Sequence, residues 1–165
     1  MRRRPPVPRL PWRRDPARAD LLSIYAEVDR LLADITCDAS TDCCRFAITG
    51  REPYPTAVEM AEVHHARALA APARTDDAAP RRRGLPLAPD GERRCPLLSP
   101  AGRCRIYASR PLGCRTFFCA RAARPGKEPR AEILRLSRAI ADLSARAFPE
   151  DPLPRPLTRA LAAPR

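Results

Sequence analysis

The chain has 165 residues, among them 21 prolines, six glycines and seven cysteines, and its formal net charge is +12. These figures exclude a collagen-like repeat and a low-complexity chain, and no apolar run approaches the roughly 18–20 residues of a bilayer span. The cysteines make up about 4% of the chain, fewer than the roughly 8–10% of a disulfide scaffold and too many to be incidental.

Residues 1–14 read as a disordered basic arm rich in proline and arginine. Residues 1–18 hold seven arginines against one acid, Asp15, so half of the net charge sits there. Such an arm attaches to nucleic acid or to an acidic surface, or it is a solvated tail of an arginine-, alanine- and proline-rich chain. Trp12 is the one aromatic in it that can stack on a base, which favours the plain tail. No apolar stretch of about 7–15 residues follows the arginines, so a secretory signal is not expected. The expected location is the cytoplasm, where spaced cysteines bind metal or do redox work more often than they form structural disulfides.

The first ordered element is predicted to start at Asp15–Pro16, with Asp as N-cap and Pro at the first helical position. Leu21, Ile24, Tyr25, Val28, Leu31, Leu32 and Ile35 then recur at three- and four-residue spacing, which predicts an amphipathic helix over 16–36. Residues 37–51 read as a tight irregular loop with one short extended piece. Thr56 and Glu59 form a capping-box pattern ahead of a second helix over 57–71. Residues 72–94, with four prolines, two glycines and Arg81–Arg83, read as an exposed linker. Residues 95–107 look like two short strands around a Ser-Pro-Ala-Gly turn. A last helix over 129–148 places Ile133, Leu136, Ile140 and Leu143 on one face, and residues 149–165 read as a mobile Pro-rich tail. The expected fold is therefore mainly α: one small metal-stabilised domain over 15–148, of about three helices with a short β-hairpin and irregular cysteine-bearing loops.

The cysteines fall into two groups, Cys37, Cys43 and Cys44, then Cys95, Cys104, Cys114 and Cys119. Thiolates bind soft and borderline metals, and four of them suit tetrahedral zinc or an iron–sulfur cluster. Free structural cysteines usually occur singly inside apolar elements, whereas these sit among turn formers. A site shared by both groups would tie the two halves of the domain together. Cys43 and Cys44 are adjacent, so one can ligate while the other is buried or serves a second site.

The string CPLL…GRCRIYASRPLGCRTFFC over 95–119 resembles the YkgJ-type cysteine-cluster family of zinc- or iron-chelating domains. The matching positions are Cys95-Pro96, Cys104 to Tyr107, Arg110-Pro111, Cys114-Arg115, Phe117 and Cys119. Upstream, Cys37, Cys43 and Cys44 fall on the family's C-x2-C-x2-C-C pattern, followed by Thr56 and Glu59. The resemblance implies a metal site built from Cys37, Cys43, Cys44, Cys95, Cys104, Cys114 and Cys119, holding Zn2+ or an iron–sulfur cluster. Ser40 stands where the family has its second cysteine. A serine oxygen is a harder and poorer ligand for soft metals. His64 or His65 offers a substitute nitrogen, although adjacent histidines on an exposed helix are usually just solvated. Arg110, Arg115 and Tyr107 lie between the cysteines, where guanidinium groups either balance thiolate charge or bond loop carbonyls.

The leading functional expectation is a cytoplasmic metal-binding protein with a bipartite cysteine cluster. Flagellin lysine N-methylase is similar to this family through its cysteine cluster, so an iron–sulfur-assisted protein-modifying enzyme is the second reading, with no added catalytic domain to house a substrate. A nucleic-acid-binding module using the basic arm is the third, and a cysteine-based redox or metal-delivery protein, acting on a protein partner, is the fourth. No P-loop, GxGxxG, HExxH or GxSxG pattern is present.

Overall fold

The computed structural model describes residues 11–34, 41–70, 94–116, 129–151 and 153–162. Helix α1 spans Pro16–Leu31 and begins where expected: Asp15 accepts a hydrogen bond from the Ala17 N–H at 2.9 Å, and Pro16 occupies the first turn. A single turn, α2, covers Phe46–Thr49 and stops at Gly50, whose φ of 63° is the left-handed conformation that ends helices. Helix α3 spans Ala57–Leu69, and its capping box forms, with Glu59 Oε2 accepting from the Thr56 N–H at 2.8 Å. A second single turn, α4, covers Leu112–Arg115. Helices α5, Arg130–Ala147, and α6, Leu157–Ala162, complete the described α-structure.

Helices α1, α3 and α5 pack on one another as a three-helix layer. Ala17, Leu21 and Tyr25 of α1 meet Val58 of α3 and Ile140 and Leu143 of α5 in one buried cluster. Val28, Leu32 and Leu136 form a smaller one beside it. Each large aliphatic side chain buried there contributes about 1.5–3 kcal/mol. Polar contacts cross the layer as well: the Val58 N–H, an orphan donor in the first turn of α3, donates to Ser144 Oγ at 3.3 Å, Arg18 of α1 donates to Glu62 of α3 at 2.8 Å, and Tyr25 Oη of α1 to Glu59 of α3 at 3.3 Å. A third cluster lies on the other side of α3, where Met60 and Val63 pack with Phe46, Cys95, Leu97, Ile106 and Leu157. That second core carries the cysteine-bearing segments. Among the described residues, no helix is long and apolar enough to cross a membrane.

The expected β-hairpin is absent: the described residues contain no β-strand. The turn itself is as read, with Gly102 N–H donating to Ser99 O and Ser99 N–H to Arg103 O. Its flanks give only an isolated Leu98–Cys104 bridge. Pro96 has no N–H to donate, Cys95 to Leu98 is itself a turn, and after Ile106 the chain coils into a 3-10 turn over Tyr107–Ser109. A two-stranded hairpin is marginal alone, and here its would-be strands are bent so that Leu97 and Ile106 both enter the core. Of the range 37–51, expected to hold a short extended piece, the described part forms a 3-10 turn over Asp42–Cys44 and α2, with Arg45 between them in an isolated bridge to Arg94.

Two terminal segments do more than their composition suggests. Pro11 begins a 3-10 turn over Trp12–Arg14, and the Trp12 ring packs on Phe148 with centroids 6.2 Å apart. Its Nε1–H donates to Glu62 Oε2 at 2.9 Å. The one aromatic of the basic arm is thus engaged by the domain, which removes the stacking group from the nucleic-acid reading. Near the other end, the segment expected to be mobile docks: Leu157 is buried and α6 packs on the second core. Residues 1–10 and the expected linker 72–94, Arg94 excepted, lie outside the described residues.

Candidate metal centre

Two turn-rich segments meet to build the site. In the first, the Asp42–Cys44 turn opens with the Cys44 N–H donating to Thr41 O at 2.8 Å. In the second, the Cys95 N–H donates to Cys44 O at 2.8 Å, and Arg45 and Arg94 form an antiparallel bridge beside it. The 99–103 turn then brings Cys104 opposite Leu98. Pro111 starts α4, which carries Cys114.

The five described cysteines, Cys43, Cys44, Cys95, Cys104 and Cys114, are unbridged, and their charges act on one another. Cys43 Sγ lies 3.9 Å from Cys44 Sγ, and Cys44 and Cys95 act on each other's ionisation. Their ionisation is coupled. Cys43 is pushed up by its bond with Cys44 and by burial. For Cys44, the bond with Cys43 lowers the value, but the bond with Cys95, burial and the charges of Cys95 and Cys104 push it up to about 12. Burial raises Cys114, with Cys104, Cys44 and Cys43 adding to it, and burial also raises Cys104. Cys95 alone is lowered, first by its bond with Cys44.

Two features suit these sulfurs to carry negative charge. The Leu97 N–H donates to the Cys95 sulfur and the Ile106 N–H to that of Cys104, each from two residues ahead. The Arg110 guanidinium acts on Cys43, Cys104 and Cys114 in the direction that favours thiolate. It is held there by stacking 3.6 Å over the Tyr107 ring and by donating to Tyr107 O at 3.0 Å. Arg115 behaves differently. Its side chain is buried and braces the loop, donating from Nε to Arg110 O, from Nη2 to Ala108 O and from Nη1 to both carboxylate oxygens of Asp29. It also lies 4.1 Å over the Tyr25 ring.

Glu59 holds the same loop from the other side. Its Oε1 accepts from the Leu112 N–H at 2.8 Å and from Tyr25 Oη at 3.3 Å, while Oε2 accepts from Thr56. Burial, and then the charge of Glu59, raise Tyr25 well above its usual value, so it stays protonated as a donor. One carboxylate therefore caps both α3 and α4. Glu62 ties down the neighbouring turn, accepting from Ser109 Oγ at 2.8 Å, Arg18 Nε at 2.8 Å and Trp12. Sequence reading found Glu59 as a cap and missed its second task. It missed Glu62, Asp29 and Tyr25 as loop anchors altogether, because their partners lie between 34 and 86 residues away.

Cys37, Cys119, Ser40 and Phe117 lie outside the described residues. His64 and His65 are half-buried on α3. Among the described residues, no three His, Cys, Asp or Glu side chains form a group that could hold a metal ion as it stands. The donors nevertheless fit zinc or iron in kind: they are soft sulfurs, mutually repelling when ionised, and served by backbone N–H groups. A family model described as "CxxCxxCC: Putative zinc- or iron-chelating domain" matches residues 36–133, more than half of the chain. No curated protein and no solved structure gives a significant match.

Proposed function

Because the chain belongs to the CxxCxxCC family, we propose that it is a cytoplasmic metal-binding protein whose two cysteine groups close on a zinc ion or an iron–sulfur cluster. The core ligands in this reading are Cys44, Cys95, Cys104 and Cys114. Cys43 adjoins them, and Cys37 and Cys119 extend the donor set along the chain. What carries the proposal is the clasp between Cys44 and Cys95: segments 51 residues apart are joined by the Cys95 N–H to Cys44 O bond and the Arg45–Arg94 bridge beside it. Without a ligand the pair is held with Cys44 as a protonated thiol, since ionising neighbouring sulfurs together is opposed by burial and mutual charge, and a bound cation would reverse that cost. Metal binding then contributes to folding, as in other small metallodomains. Arg110 offsets the negative charge of the loaded centre, and the Leu97 and Ile106 amides tune it.

The test is metal analysis with optical spectroscopy on protein purified without oxygen. A brown protein with absorbance near 400 nm, on the order expected for sulfur-to-iron charge transfer, assigns an iron–sulfur cluster. A colourless protein with stoichiometric zinc assigns the zinc site. Cys95→Ser and Cys104→Ser are expected to lose that metal. Full metal content in every single-cysteine variant would sink the reading.

A further inference from the structure

Beyond residue 133, where the family match ends, the chain returns to the cysteine-bearing core. The contact is specific. Residues 52–55 include Pro53 and Pro55, which have no N–H, so this stretch presents carbonyl acceptors. The tail supplies donors in step: Arg155 N–H to Pro55 O at 3.3 Å and Leu157 N–H to Pro53 O at 3.0 Å. Glu52 Oε1 then accepts both the Thr158 N–H at 2.7 Å and Thr158 Oγ1 at 2.5 Å.

Two routes lead from this contact to the thiols. Leu157, 1% exposed, packs in the same cluster as Cys95, and Ala160 and Leu161 lie against that cluster along with Cys44 and Cys104. On the second route, Pro53 receives the tail and also abuts α4. A Cβ on Gly113 would sit 3.1 Å from Pro53 Cβ, and Gly113 precedes Cys114. Movement of the tail therefore loosens the seat of Cys95 directly and that of Cys114 through Pro53.

Building on the proposed metal centre, we infer that residues 153–162 form a strap whose docking is coupled to metal at the thiols. The docked strap covers the apolar side of the centre and holds its ligands in place, while the undocked chain is the state from which metal exchanges. Coupling of this kind is reciprocal: metal tightens the strap by the factor by which the strap tightens metal.

The experiment uses the full chain and Zn2+, following amide hydrogen exchange at Leu157 and Thr158 by NMR and Zn2+ affinity by competition with a chromophoric chelator. Zinc is expected to slow exchange at both amides by about tenfold, and Leu157→Ala to weaken Zn2+ binding by about tenfold. Thr158→Ala, which keeps the buried leucine, is expected to show the same trend more weakly and covers the case in which Leu157→Ala fails to fold. Zinc bound with normal affinity but unchanged exchange at the two amides would overturn the strap and leave the metal centre standing. Failure of the wild type to bind Zn2+ would overturn the strap as stated and, where anaerobically purified protein also carries no iron–sulfur cluster, the metal centre with it.

Discussion

The helical layer and the cysteine-bearing segments are held together by different physics. Helices α1, α3 and α5 interlock chiefly through aliphatic side chains, and the polar contacts between them, Val58 to Ser144, Arg18 to Glu62 and Tyr25 to Glu59, lie around those clusters. Residues 94–116 bury few large apolar groups, chiefly Leu97 and Ile106, and take their shape from Glu59, Glu62 and Arg115 bonding their backbone or hydroxyls. The layer therefore resists as a unit through area removed from water. The loops depend on a few polar groups, each of which is expensive to lose, and on the balance of charge among the thiols.

Substitutions in the two regions should separate these effects. Leu143, 4% exposed, fills the layer away from the thiols. Leu143→Ala is expected to cost about 3 kcal/mol of global stability in urea denaturation and to leave the metal affinity of the folded protein unchanged. A matching fall in metal affinity would erase the distinction between the regions. Arg115→Ala is expected to cost less, about 2 kcal/mol, since Asp29 is 56% exposed and the ion pair is screened. Its main effect falls on the loop: Ala108 O and Arg110 O lose their donor, and metal affinity drops by about tenfold. Asp29→Asn, which keeps the arginine, should move affinity far less in the same chelator titration.

The same division explains what could be read from the sequence. Three- and four-residue apolar spacing is a local signal, and it located α3 and α5 to within two residues and the start of α1, with Asp15 and Thr56 marking two starts, while α1 ends at Leu31 rather than at 36. The cysteine pattern located the thiols and, by resemblance, the family. The hairpin is not formed because the Ser-Pro-Ala-Gly turn is a local signal that takes no account of the core that both flanks must enter. The anchoring of Trp12 and the docking of Leu157 depend on Glu62 and on Pro53, partners 50 and 104 residues away, for which composition carries no signal.

Glu62, on α3, joins the layer to the polar region and gives that junction a pH dependence. Burial opposes its ionisation, but hydrogen bonds from Arg18, Trp12 and Ser109 outweigh burial and lower its pKa. The carboxylate therefore adds stability above its unfolded value, about 4.3, and that stability disappears as the pH falls through the folded value. Glu62→Gln is expected to cost about 1.5 kcal/mol at pH 7 and progressively less below about pH 4. Parallel denaturation curves for wild type and variant across that range would show that Glu62 does not carry the effect.

The smallest effect expected is a gain, and it comes from comparing two turns within the cysteine-bearing region. Gly102 and Thr41 both have positive φ, 74° and 65°. Glycine adopts that conformation freely, whereas the β-branched threonine strains there by about 1–2 kcal/mol. Thr41 keeps the conformation because its carbonyl accepts from the Cys44 N–H, which opens the turn carrying Cys43 and Cys44. That bond belongs to the backbone and survives substitution. Thr41→Gly relieves the strain and adds about 0.5–1 kcal/mol of backbone entropy to the unfolded chain, for a net gain of about 0.5 kcal/mol. Thr41→Ala keeps the strained backbone and loses the side chain, so it should be no more stable than wild type. If both variants lost stability equally, Thr41 would act through its side-chain packing on the Gly102 turn, and the cysteine-bearing region would owe more to packing than its polar anchors imply.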